Sequence, residues 1–209
     1  MKLKNGVIVI VLVFTTITKM YGQNFSVVKI PVDRMKSLNF YEENKCNHFY
    51  KIVFNGDTSD GAISSYNRIM EKIKNSNIDK IALIKELMKF KGDKRLCCIP
   101  IKHYNLDVSQ GLEKDISYYS IQIEALFIIN QLYFPKPFNY SPFPVLYNSY
   151  FKKIIAVKGW GIHKVFARYE QWLLEIEKTG IEEAISKHKD PLDKSNISWY
   201  SGVYPWNLN

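Results

Sequence analysis

Two adjacent thiols and a histidine share the stretch "KRLCCIPIKHY", residues 94–104: Cys97 and Cys98, with His103 five residues after the second. A thiol becomes a nucleophile when a base at hydrogen-bond distance takes its proton, which makes Cys98 with His103 a candidate catalytic pair. Closeness along the chain does not supply that geometry, nor the third group that would orient the base. Zinc is disfavoured, because neighbouring cysteines cannot easily both reach one ion tetrahedrally and the C-x2-C and H-x3-H pairs are missing. No metal and no cofactor is expected.

Cys46 is the third cysteine. In an oxidising compartment a Cys46–Cys97 disulfide is the expected arrangement. It would close a loop of about 50 residues and stabilise the fold by roughly 4 kcal/mol in the chain-entropy model, reason enough to keep the cysteines without catalysis. Cys98 is then left unpaired, and the stretch reads as architecture.

Two further sets of titratable groups stand out. Glu124 sits in "DISYYSIQIEALFIINQLYF", residues 115–134, a segment apolar over most of a helix circumference. A carboxylate buried there needs a Lys or Arg partner; a raised pKa and a proton-transfer role is the sharper alternative, although no second acid on the segment completes a pair. His163, Glu170 and Glu177 recur every seven residues near the C-terminal end. Neighbours in that stripe are about 10 Å apart along a helix, too far to bond one another, so it reads as a solvent margin or a pocket rim completed by another helix. Gly-rich phosphate loops, G-x-S-x-G elbows and H-E-x-x-H motifs are absent from the sequence.

The elements that must position these groups are mostly helical by pattern. Ala62, Ile63, Tyr66, Ile69, Met70 and Ile73 recur at three- and four-residue steps, and a second helix should follow with Ser76 and Asp79 as a capping box and Gly92 as its stop. The segment 115–134 predicts the central, most buried helix. In "GIHKVFARYEQWLLEIEKTG", Ile162, Val165, Phe166, Tyr169, Leu173 and Ile176 share one face, Gly180 should close the helix in a left-handed conformation, and Thr179 with Glu182 has capping-box spacing for a shorter helix. The prolines of "PKPFNYSPFP", residues 135–144, predict a semi-rigid loop whose aromatics Phe138, Tyr140 and Phe143 either pin it to the domain or bind a partner. Strand candidates are "FSVVKIPV" and "HFYKIVF", while the tail "ISWYSGVYPWNLN" reads as irregular. The expected fold is therefore mainly α: a single globular helical domain of about five or six helices with a short N-terminal strand pair.

Lys2 and Lys4 precede the apolar run Val7–Phe14, the layout of an export signal, with a cut expected after Gly22. Residues 1–22 are read as signal peptide and 23–209 as one domain. The apolar run is shorter than the roughly 20 residues of a membrane span, so no integral membrane protein is expected after cleavage. Lys2, Lys4 and Lys19 leave with that segment, which takes the formal charge from +9 to +6. The charge is scattered among acids rather than gathered in a stripe, which argues against nucleic acid and leaves an anionic envelope surface as a secondary partner. The reading that follows is an exported, periplasmic or secreted, non-catalytic binding protein, an inhibitor or immunity-type partner of another protein. The alternative is an envelope-acting hydrolase using Glu124, His163, Cys98 or His103.

Overall fold

The computed structural model describes residues 24–31, 48–56, 70–73, 75–97, 119–155 and 161–203. The first two strand candidates form. β1 (Phe25–Pro31) pairs antiparallel with β2 (His48–Phe54), Phe25 opposite Phe54 and Val28 opposite Lys51. β2 ends where Asn55 and Gly56 both take positive φ, the conformation those residue types tolerate best.

A helical segment at 70–73 leads toward α1 (Lys80–Met88). Ser76 does not cap α1. Its hydroxyl donates to the Ile73 carbonyl and so closes the preceding turn, while Asp79 is the N-cap and accepts from the Ile81 and Ala82 amides. An aspartate satisfies two free amides of a first turn without help from the serine three residues earlier.

α2 (Ile121–Tyr133) is the central helix, and all thirteen of its residues are buried. It lies against β2, α1 and α3 (Pro137–Tyr140). The existence of α3 corrects the expectation of a helix-free Pro-rich loop: Pro137 sits in the first turn, where a missing N–H costs nothing. β3 (Leu146–Asn148) then runs between β4 (Lys153–Ile155) and β5 (Ile197–Trp199) in an antiparallel sheet, so part of the tail read as irregular is a strand.

α4 (Ile162–Thr179) turns Val165, Phe166, Tyr169, Trp172, Leu173 and Ile176 into the core. Gly180 follows with φ 86° and ψ 156°, which is positive φ but extended ψ, a region open essentially to glycine and not the expected left-handed cap. It is also the residue that starts α5 (Ile181–Ser186), and Thr179 instead bonds back to the Glu175 carbonyl. Counting the segment at 70–73, the described residues hold six helices and five strands in two small sheets. The fold is mixed α/β, not mainly α. Strands of three residues are too short for alternation to be visible in sequence, which is why the second sheet escaped the pattern.

Candidate functional site

Glu124 points into the core between α2 and β2, 1% exposed. One of its oxygens accepts from the Ile52 amide at 2.9 Å and from the Cys97 thiol at 3.4 Å. Cys97 is a free, fully buried thiol. Burial, and then the neighbouring Glu124 carboxylate, push its pKa well above the ordinary thiol range. A thiol held protonated and facing a carboxylate is a poor nucleophile. Cys46, Cys98 and His103 lie outside the described residues, so the expected Cys46–Cys97 bridge is represented here only by the Cys97 thiol.

The stripe on α4 divides. His163 is exposed at the helix start, whereas Glu170 meets Lys91 at 2.7 Å and Glu177 pairs with Lys85 of α1. Two of its three members thus lace α4 to the α1 region at the surface, where such pairs contribute little each. Glu124 and His163 are not brought together: one is in the core and the other faces solvent.

The Pro-rich segment splits in the same manner. Phe143 is fully buried and Tyr140 nearly so, pinned beneath the surface, while Phe138 is 49% exposed. Phe138 stands with Pro135 and Pro137 on one wall of a cleft of about 730 Å³; Met70, Ile73 and Ile78 line it from the helical segment and the approach to α1. Gln131 and Tyr133 of α2 also line it. Among the described residues, the Gln131 side-chain amide nitrogen is buried without a hydrogen-bond partner, a costly state for a polar group. Glu71, Lys80 and Glu182 place charges around this cleft. Its volume and mixed apolar and polar lining suit a binding pocket.

A second assembly was invisible in the sequence. Tyr169 of α4 donates to the Asn130 side-chain oxygen at 2.7 Å and accepts from the Trp199 indole at 3.2 Å, joining α4, α2 and β5 inside the core. Tyr140 donates to Asp190 at 2.6 Å, and the same Asp190 oxygen accepts from the Leu192 amide at 2.7 Å. Burial raises the Asp190 pKa above the usual carboxylate value against the lowering effect of those two bonds, and burial likewise raises the Tyr140 and Tyr169 phenols. Tyr133 donates to the carbonyl of Lys189, so two consecutive residues hold both ends of the α2–α3 corner. Gly202 closes the arrangement: a Cβ there would lie 2.0 Å from the Tyr140 carbonyl oxygen, so any side chain would push the tail off α3. Asp190 also lines two shallow clefts, of about 190 Å³ and 490 Å³.

The residues of this second assembly are scattered over 73 positions, from Asn130 to Gly202, and lack motif spacing. The only sequence signal for it was the concentration of tyrosine and tryptophan in the last third of the chain. Among the described residues, no group of three or more His, Cys, Asp or Glu side chains is placed to hold a metal ion, and no helix is long and apolar enough to cross a membrane. No family model, curated protein or solved structure matches the chain.

Proposed function

We propose that the protein is an exported, non-catalytic binding protein whose partner is another protein, and that it engages this partner at the cleft between the Pro-rich segment and residues 70–78. The observation that carries the reading is the exposed Phe138 ring on the wall of a cleft lined by both apolar and polar side chains. An exposed aromatic ring beside a concave, partly apolar surface is the kind of place where an anchor residue of a partner is recognised. Of the residues named for the hydrolase alternative, Glu124 is enclosed by core side chains and His163 is on an outer face, while Cys98 and His103 lie outside the described residues.

Affinity capture from the native envelope or secretome, run in parallel with wild type and Phe138→Asp, tests the reading. A protein retained by wild type and released by the variant is the expected result. Absence of any retained protein, or retention indifferent to the substitution, would sink it. Phe138 is half exposed, so the variant should fold normally, which a thermal melt checks.

A further inference from the structure

The most exposed aromatic pair among the described residues stands at the end of the β3–β4 hairpin. Tyr150 is 73% and Phe151 50% exposed, and their rings meet edge to face with centroids 4.9 Å apart. Other exposed apolar side chains, such as Leu96, Phe138, Leu174 and Val203, belong to separate segments, as is ordinary for a protein surface. Two adjacent rings facing water are not.

The tip that carries them is braced. The Phe151 amide donates to the Asn148 side chain at 3.0 Å, Lys152 takes a φ of 50°, and Ser149 bonds through both its amide and its hydroxyl to the Asn196 carbonyl beside β5. A held turn presents its rings at little entropic cost on contact. Lys152 and Lys153 follow the rings directly, both exposed, and the stretch 146–155 contains no acid. Neither lysine makes an ion pair among the described residues.

From this juxtaposition, we infer that the hairpin tip docks the protein on an anionic lipid surface. Tyr and Phe rings enter the boundary between headgroups and acyl chains, where amphipathic and aromatic side chains are favoured. The two ammonium groups beside them meet the lipid phosphates, and the formal charge of +6 on residues 23–209 adds long-range attraction. No residue of 146–155 lines the cleft beside Phe138, so this surface is distinct from the partner cleft.

Vesicle co-sedimentation of the full chain tests the inference, using phosphatidylcholine vesicles with and without phosphatidylglycerol. Wild type should be retained by the anionic vesicles and released as salt rises. Removing both ammonium groups, Lys152→Ala with Lys153→Ala, should weaken retention about 30-fold. The ring-deleted pair Tyr150→Ala with Phe151→Ala should weaken it on anionic vesicles while leaving the salt dependence unchanged. All four side chains are exposed, and unchanged melting curves confirm that folding is intact. Equal retention on neutral vesicles, no retention on either, or retention untouched by both double variants would overturn the inference, the last by assigning membrane contact to another part of the chain.

Discussion

Glu124 and Asp190 are both carboxylates taken largely out of water, and they are held by different kinds of neighbour. Glu124, beneath β2, accepts a main-chain amide and a thiol from two segments far apart in sequence, and it is 1% exposed. Asp190 accepts a phenol from α3 and an amide from its own turn, and it forms part of the wall of two clefts. The first acid bonds the outer edge of β2; the second fastens a surface turn over the corner that carries Phe138. The contrast teaches that burial alone does not mark a functional acid. What a carboxylate holds, and whether anything can reach it, decides its role.

The largest effect should come from deleting the deeper acid. Glu124→Ala leaves the Ile52 amide without its partner and opens a cavity in the most buried helix, and should destabilise the fold by about 3 kcal/mol. Glu124→Gln keeps an oxygen acceptor and should cost about 1 kcal/mol. Equilibrium denaturation with urea measures both. If Glu124→Ala costs no more than Glu124→Gln, the amide bond is not what keeps this residue in place.

Deleting the shallower acid should cost less and act locally. Asp190→Ala removes one acceptor from two donors, Tyr140 and Leu192, of which the second can turn to water; about 2 kcal/mol is expected. Because Tyr140 ends the helix on which Phe138 stands, the same variant should weaken partner retention at the cleft. Amide hydrogen exchange along 135–145 provides the second readout. Faster exchange there, with α1 unaffected, separates a loosened corner from global loss of stability. Uniform acceleration everywhere would erase the distinction between the two acids.

The legibility of these regions in sequence follows from how each is built. α4 could be read because six apolar side chains repeat at helical spacing over eighteen residues, and periodicity over that length is hard to mimic. The burial of Glu124 was legible for the same reason, since its helix is apolar all round; the nature of its partners was not, because the Ile52 amide carries no residue-type signal. β3, β4 and β5 have three residues each, fewer than alternation needs, and while β3 and β4 form a local hairpin, β5 joins β3 across some fifty positions. That long-range pairing is what turns a mainly helical expectation into a mixed fold. The Asp190 assembly has the same origin: its members become neighbours only once β5 has returned to β3. Ser76 and Thr179 show the local version of the limit, where a hydroxyl at capping spacing chose a carbonyl behind it instead of the amide ahead.

The smallest effect is also the one that most directly sharpens the contrast, because it uses pH. Burial raises the folded-state pKa of Asp190 above its ordinary value of 3.8, outweighing the bonds from Tyr140 and Leu192. Folding therefore favours the protonated form, and the stability this contributes is complete below the unfolded pKa and is lost as pH rises through the folded one. Asp190→Asn cannot titrate but can still accept from both donors. The wild type should thus fall behind Asp190→Asn in melting temperature as pH climbs from about 3.8 through the raised value, and the difference should level off above it. Melting curves of the two proteins in matched buffers measure this, with the titrations common to both cancelling in the difference. A wild type that gains on Asp190→Asn over that range would mean the two bonds outweigh desolvation, and Asp190 would then be an ordinary stabilising surface carboxylate with no strain held at the corner beneath Phe138.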